Sequence, residues 1–491
     1  MKLFRTKSID QILSQPNDNN RALKKTLGRV NLVSLGIGAI IGAGIFAITG
    51  QAAAQYAGPA IVISFVISGF ACAFAGLCYA EMASMIPISG SAYTYAYATM
   101  GEFVAWIIGW DLILEYLFAS STVAVGWSGY VISFLKDFGI HLPEKFTTAP
   151  LSHSKELGWY FTGSLINLPA VLIILALTFL LAIGIKESAW FNNLMVIVKV
   201  LVIIVFILVG IFYVNYDNWQ PFIPEQKEIG VYGWTGILRA AGIIFFAYIG
   251  FDAVSTAAQE AINPQRDMAY GILGSLFICT ILYVLFAGVL TGVVHYSQLN
   301  TPAPVAVAID QMGKEMKWLK FFIKIGAIAG LSSAMLIMML GQPRIFYAMG
   351  LDGLLPSIFC NVHPKFKTPF FSTIYTGCIA SVLAGLLPLN ILSELVSIGT
   401  LFAFIIVCAG VLNMRIIKPH VQRPFKVPYV WVIAPLGILT CFAQMYYLEK
   451  GTWLRLFAWM FIGLIIYFLY GYKASRLNKT DRENNDFYKH K

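Results

Sequence analysis

The stretch GIGAIIGAGIF, residues 36–46, places four glycines inside the first long apolar run of the chain. Each glycine destabilises a helix by about 1 kcal/mol relative to alanine, so Gly36, Gly38, Gly42 and Gly44 together cost about 4 kcal/mol. The spacing GxGxxxGxG, with no preceding strand, disfavours a phosphate-binding loop. Close helix packing through the GxxxG pair Gly38 and Gly42 is an alternative. The second alternative is an unwound segment that exposes backbone N–H and C=O groups to a buried ligand.

A second apolar run repeats this feature later in the chain. Residues 242–260, GIIFFAYIGFDAVSTAAQE, again combine glycine with polar residues in the middle of an apolar segment. Interrupted segments at matching positions of two inverted halves are typical of a transporter's binding site, so the unwound interpretation is favoured. The free N–H groups at a helix start suit a carboxylate, and exposed carbonyls suit an ammonium group. The ligand that carries both charges close together is an α-amino acid.

Two ionisable residues lie deep in other apolar runs. Lys199 is flanked by apolar residues from Val196 to Leu208, and Glu115 lies within WDLILEYLF. An ammonium at mid-membrane costs at least about 2.5–3.5 kcal/mol, so Lys199 is a candidate for function, with snorkelling to an interface as the alternative. Because burial can lower a lysine pKa, Lys199 could gain and lose a proton. Glu115 either faces a cavity or pairs with a neighbouring helix.

The elements that position these residues are membrane helices. Of the 491 residues, 58% are hydrophobic and 12% are charged, against about 25% charged in soluble proteins, and the mean hydropathy is +0.74. Apolar runs of about 20 residues predict twelve spanning helices, since lipid requires every backbone group to be satisfied within the segment. The predicted spans are centred near residues 43, 70, 118, 175, 203, 248, 282, 334, 380, 403, 438 and 462.

Charge patterning predicts the orientation of the chain and its surroundings. Residues 1–29 carry seven Lys and Arg, which favours a cytoplasmic N-terminus, and an even number of spans puts the C-terminus on the same side. The net charge of +10 reflects the orientation of the chain in the membrane and contact with anionic membrane lipids, rather than nucleic acid binding. The seven cysteines form no CxxC pair, so neither a metal site nor another cofactor is expected.

Four motifs identify a resemblance to the amino acid–polyamine–organocation superfamily, specifically to a bacterial member of its cationic amino acid transporter branch. Besides the glycine run, they are WFNNLMVIVKV, FFAYIGFDAVSTAAQEAINPQRDMAYGI and GQPRIFYAMGLDGLLP. The resemblance implies a 5+5 inverted repeat with helices 1 and 6 broken, plus two peripheral helices. The domains expected are a cytoplasmic N-terminal segment (1–29), a transport core (30–414), peripheral spans 11 and 12 (427–472) and a disordered cytoplasmic tail (473–491).

The resemblance also implies roles for individual residues. Backbone groups around Ile40, Ala43 and Gly44 would hold the substrate carboxylate, although many relatives carry a hydroxyl residue at the position of Ala43. The carbonyls of Phe246, Ala247 and Ile249 would bind the ammonium group. Lys199 would lie against the broken part of span 1 and against Ser332 and Ser333, at the place where related carriers bind sodium. Met338 would shorten the side-chain pocket, although a methionine in mid-span is also a common packing residue.

Together these features predict a secondary active transporter in a bacterial inner membrane. The expected activity is proton-coupled symport of small neutral L-amino acids such as alanine, by alternating access. An exchanger, or a carrier of cationic amino acids or polyamines, is the alternative within transport. A polytopic membrane enzyme or sensor is disfavoured because no paired catalytic carboxylates, HExxH motif or soluble catalytic domain occur, and a channel because no ring of like charge repeats along the spans.

Overall fold

A computed structural model describes residues 3–9, 12, 27–88, 90–154, 158–184, 189–256, 258, 261–366 and 368–478. The longer helices are numbered α1 to α14 in chain order. They are Arg29–Ile40, Ile61–Met85, Ser91–Thr99, Glu102–Asp137, Leu168–Ile183, Ala189–Gly210, Gly233–Ile244, Pro264–Val293, Pro304–Gln311, Lys317–Leu351, Phe370–Leu386, Leu389–Ile417, Val430–Tyr446 and Lys450–Ile466. Two antiparallel strands, β1 (Leu151–Ser154) and β2 (Gly158–Phe161), pair with Leu151 opposite Phe161.

The helices have the length and composition of membrane spans. Within the described residues, seven helical stretches are long and apolar enough to cross a membrane, and four shorter apolar helices accompany them. The prediction of a helical polytopic membrane protein is confirmed at this level. The seven long stretches are Arg29–Met85, Glu102–Asp137, Asn193–Tyr213, Pro264–Val293, Trp318–Leu351, Leu389–Ile417 and Lys450–Ala474.

Both predicted helix interruptions are present. Helix α1 ends at Ile40, Ile41 is extended with φ −73° and ψ 102°, and the chain resumes as a π-helical turn over Gly44–Ile48. Helix α7 ends at Ile244 and tightens into a 3₁₀ turn over Phe245–Tyr248, after which Ile249 is extended with ψ 136°. The chain therefore leaves α-helical geometry at the glycine run and at the second interrupted segment.

The two interruptions are in direct contact. A Cβ atom added to Gly44 would overlap the Cα atom of Ala247, so only glycine lets the two backbones approach this closely. Gly250 lies on the other side of the same contact with φ +118°, and a Cβ there would lie 2.7 Å from the carbonyl carbon of Ala39. The glycine content that weakens each helix is therefore used to pack one break against the other.

Described residues near the two ends of the chain, 5–7 and 475–478, lie at the same end of the helix bundle. Lys7 Nζ is 2.8 Å from Asp352 Oδ1, and Arg5 donates to the Asn478 side chain at 3.3 Å. The backbone N–H of Arg476 donates to the Asp352 carbonyl, and Ser475 donates to Glu102. Residues 475–478, within the predicted tail, therefore pack against the bundle through polar contacts that composition does not reveal. Residues 479–491 of that prediction lie outside the described residues.

The opposite end of the bundle is held by a second group of ion pairs. Asp137 at the end of α4 contacts both Lys320 and Lys324 of α10, at 3.0 and 2.5 Å. Lys320 also contacts Asp310 at the end of α9. Helices α4 and α10 are therefore tied together at this end of the bundle, and both also line the space beside the two breaks.

The contact between the breaks makes a prediction for Gly44→Ala. The added methyl group overlaps the backbone at Ala247, and overpacking of this kind costs about 1–3 kcal/mol. We expect a lower thermal unfolding temperature for the purified variant in detergent, together with loss of uptake.

The matched control is Gly288→Ala in α8, where the nearest atom to an added Cβ is 3.8 Å away. This variant should unfold at the temperature of the unmodified protein. Equal stability of the Gly44→Ala and Gly288→Ala variants would contradict the close contact of the breaks.

Candidate functional site

A small cavity lies between the two helix breaks. Its volume is about 10 Å³, close to the least space that admits one water molecule. It lies between residues of the two breaks and residues of α4 and α10. Its lining consists of Ala39, Ile40, Gly42, Ala43, Gly44, Ala119, Val123, Phe246, Ile249, Ala334 and Met338.

Most of the predicted substrate residues meet at this cavity. Ile40, Ala43 and Gly44 line it from the first break, and Phe246 and Ile249 line it from the second. Because the first N–H groups of a helix lack intrahelical acceptors, the helical turn that starts at Gly44 offers donors at the cavity wall. These residues therefore provide backbone groups of the kind that a carboxylate needs.

The second break offers fewer free carbonyls than expected. The Phe246 carbonyl accepts a hydrogen bond from the Ile249 N–H at 3.2 Å, which leaves it one further lone pair. Ala247 is buried against Gly44 and is not part of the cavity lining, although its neighbours Phe246 and Ile249 are. The structure therefore brings Phe246 and Ile249 to the cavity and places Ala247 behind it.

Lys199 holds the first break. Its side chain is fully buried, and Nζ donates to the carbonyl of Gly38 at 2.7 Å and to the carbonyl of Ile41 at 3.0 Å. The last carbonyls of a helix lack intrahelical donors and carry partial negative charge. An ammonium group, with three donors and a positive charge, suits that position. Lys199 of α6 therefore caps the end of α1 from a different helix.

Two tyrosine hydroxyls complete this set of bonds to the first interrupted helix. Tyr283 of α8 donates to the carbonyl of Ile40 at 3.0 Å, and Tyr130 of α4 donates to the carbonyl of Phe46 at 2.6 Å. Sequence reasoning missed both residues. The available signal was a tyrosine near the centre of the predicted span at residue 282, where a buried hydroxyl needs a partner.

The two serines of α10 lie in different surroundings. The aliphatic part of Lys199 packs against Gly330, where an added Cβ would lie 3.0 Å from the lysine Cγ. Ser333, one turn later, is buried, and its Oγ has no hydrogen-bond partner among the described residues. Ser332 instead accepts a hydrogen bond from Trp127 of α4 at 2.9 Å and donates to the Ile328 carbonyl. Ser333 is therefore on the Lys199 side of α10, and Ser332 faces α4.

Glu115 lies next to the cavity but outside its lining. It is buried one turn before the cavity residue Ala119 and lies within electrostatic range of Asp252 and Asp111. Asp111, four residues earlier, is fully buried, and both of its carboxyl oxygens lack a partner among the described residues. The i, i+4 spacing of the two acids was visible in WDLILEYLF, but sequence reasoning singled out only the second.

The part of the cavity wall formed by α4 and α10 is apolar. Met338 of α10 is buried and lines the cavity beside Ala334, opposite Ala119 and Val123 of α4. The lining contains no charged side chain. Met338 therefore lies at the cavity wall, and this wall would accept an uncharged side chain most readily.

Comparison with known proteins identifies the family. A family model described as amino acid permease matches residues 27–469. The chain is 47% identical to the branched-chain amino acid permease BcaP of Bacillus subtilis over 478 residues, which are 97% of this chain and 99% of that protein. It is 45% identical to the methylthioribose transporter of the same organism, with the same coverage of both chains.

A more distant relative supports the predicted branch. The vacuolar cationic amino acid transporter 4 of Arabidopsis thaliana is 38% identical over 423 residues, which are 85% of this chain and 68% of that protein. The interrupted helices, the apolar spans and these relatives agree with a transporter rather than an enzyme. The chain therefore belongs to the amino acid permease family, within the amino acid–polyamine–organocation superfamily.

Proposed function

We propose that this protein is a secondary active transporter that takes up small neutral L-amino acids, such as alanine, together with protons. The observation that carries the proposal is the pair of touching helix breaks beside a cavity whose lining has no charged side chain. The substrate carboxylate binds N–H groups at residues 42–44, and its ammonium group binds carbonyls at Phe246 and Ile249. The chain crosses the membrane twelve times as two inverted five-helix repeats followed by two peripheral spans.

The cavity must widen to accept this ligand. At about 10 Å³ it has room for one water molecule and not for an amino acid. Alternating access supplies this change, because movement of one repeat against the other opens the site to one side of the membrane at a time. Obligate exchange would use the same movement without a driving ion.

The substrate class follows from the chemistry of the wall. A cationic amino acid or a polyamine would bring a charge against apolar residues, which is costly without a partner. Glu115 is near enough to organise water or meet a longer side chain once the cavity opens. The B. subtilis relatives are named for branched-chain amino acids and for methylthioribose, so valine, leucine and methylthioribose are the competing substrates to test beside alanine and arginine.

Lys199 is the proton-coupling residue in this proposal. The charged form holds the Gly38 and Ile41 carbonyls and stabilises the break. Release of its proton to water that enters the open site removes the positive charge and one donor. The hydrogen bonds from Lys199 to the carbonyls at the helix end then become weaker. Ser333, whose hydroxyl has no partner among the described residues, is available to the neutral amine. Proton binding and the shape of the substrate site are then linked through one side chain.

The membrane setting is the bacterial inner membrane with both termini in the cytoplasm. The contact between Arg5 and Asn478, near the two ends of the chain, supports one common side for both termini. The basic N-terminal segment favours the cytoplasm for that side.

The test of coupling compares Lys199→Met with Lys199→Arg in proteoliposomes. It measures uptake of external labelled alanine under an imposed pH gradient. Methionine removes the charge, and arginine keeps a charge that cannot be lost. We expect both variants to lose uptake driven by the pH gradient by at least tenfold. Lys199→Arg should keep alanine counterflow, because exchange needs no net proton movement.

The control for this test is Lys450→Met, which changes an exposed lysine at the start of α14. It should behave as the unmodified protein does. Uptake that responds to the pH gradient in Lys199→Met would refute the proton role, whereas failure of the unmodified protein to move any amino acid in the panel would refute the transport function.

The test of the pocket wall is Met338→Ser. A shorter side chain at the cavity should raise the relative uptake of leucine and arginine against alanine by about tenfold, since one or two methylene groups are worth about 1–3 kcal/mol in an apolar pocket. Competition assays over the same substrate panel measure the change.

Met339→Ser is the matched control, because Met339 is also buried in α10 but does not line the cavity. An unchanged substrate profile in Met338→Ser, or an equal change in both variants, would rule out Met338 as the residue that limits side-chain length.

A further inference from the structure

A second and much larger cavity lies at the side of the bundle, away from the helix breaks. Its volume is about 420 Å³, and it lies between α4, α10, α11, α14 and the segment that follows α10. Apolar side chains such as Ile113, Leu117, Phe346 and Ile379 form most of its wall. None of its lining residues belongs to the lining of the cavity at the breaks.

Two polar side chains in this side cavity lack partners. Gln342 of α10 is 1% exposed, and Thr376 of α11 is 2% exposed. Both amide atoms of Gln342 and the hydroxyl of Thr376 have no hydrogen-bond partner among the described residues. A buried polar atom without a partner costs about 1–3 kcal/mol. Three such atoms lining one cavity indicate a ligand that supplies both a donor and an acceptor.

The surroundings define the chemistry of that ligand. Tyr375 and Ile462, which also line the side cavity, are 42% and 49% exposed on the apolar exterior of the bundle. A ligand would therefore enter from the bilayer. The lining contains no charged side chain, which disfavours a charged head group.

We propose that the side cavity binds a neutral membrane amphiphile, a long-chain alcohol or hydroxylated lipid, whose hydroxyl group bonds to Gln342 and Thr376. The hydroxyl donates to the Gln342 carbonyl oxygen and accepts from the Gln342 amide or from the Thr376 hydroxyl. The alkyl chain lies along Ile113, Leu117 and Ile379 and extends towards the bilayer.

The site adjoins the helices of the substrate cavity. Gln342 is one turn after Met338 on α10, and Leu117 is two residues before the cavity residue Ala119 on α4. At the far wall, the rings of Trp110 and Trp459 stack with their centroids 4.8 Å apart. Each ring N–H donates to the backbone carbonyl of the other residue. An occupant would therefore fill the space between a rigid aromatic wall and the two helices that face the breaks.

The experiment uses the full-length protein in nanodiscs and a hexadecanol that carries a mid-chain diazirine and a terminal alkyne. We expect saturable photolabelling, mapped by mass spectrometry to peptides of α10, α11 and α14. Unlabelled hexadecanol should compete, and hexadecane should compete at least tenfold less well. Gln342→Leu and Thr376→Val should each lower the labelling at least fivefold.

Two further variants keep this test decisive. Ile379→Trp fills the cavity without touching the polar groups and should also abolish labelling, even if Gln342→Leu is poorly folded. Thr440→Val, at a half-buried position of α13 that does not line the side cavity, should change nothing. Labelling of the same peptides that survives the Gln342, Thr376 and Ile379 changes, or equal competition by hexadecane, would overturn the proposal.

Discussion

The architecture depends on how the carbonyl groups at the end of a broken membrane helix are satisfied. In lipid an unpaired backbone carbonyl costs several kcal/mol, so a helix can stop at mid-membrane only where other groups replace its missing donors. Here the Lys199 ammonium binds the carbonyls of Gly38 and Ile41, and Tyr283 binds the carbonyl of Ile40. The lysine also places a positive charge at the negative end of α1. Two buried side chains from other helices therefore make the break possible.

The glycines and the lysine both stabilise the first helix break, in different ways. Gly44 and Gly250 let the second interrupted helix pack directly on the first, and Lys199 holds the carbonyls that this arrangement leaves exposed. What remains between the breaks is a small space lined by residues without charged side chains. A change in the charge of Lys199 would act directly on one wall of that space. This is the physical basis of our proposal that proton binding and substrate binding are linked in one site.

The sequence predicted the helices and their breaks better than the contacts between helices. Four glycines in one apolar run, repeated in a weaker form near residue 248, indicated both breaks. The cost of burying an ammonium singled out Lys199. The bonds made by Tyr283 and Tyr130, the side cavity at Gln342, and the packing of residues 473–478 against Glu102 and Asp352 depend on which helices become neighbours. Hydrophobic periodicity contains no such information. For the same reason the sequence left two alternatives for Glu115, a cavity or a pairing with a neighbouring helix, and its position one turn from the cavity lining was not predictable.

The most direct test of the central interaction is ¹⁵N solid-state NMR of lysine-labelled protein in liposomes, with the Lys199 signal assigned by its absence in Lys199→Arg. A measured correlation between Lys199 Nζ and the Gly38 carbonyl carbon would establish the cap. We expect this correlation to be present while the nitrogen is charged, and the Nζ shift to move to the neutral value as the pH is raised in the presence of alanine. A signal that stays charged over the whole pH range, or that shows no contact with Gly38, would contradict this expectation.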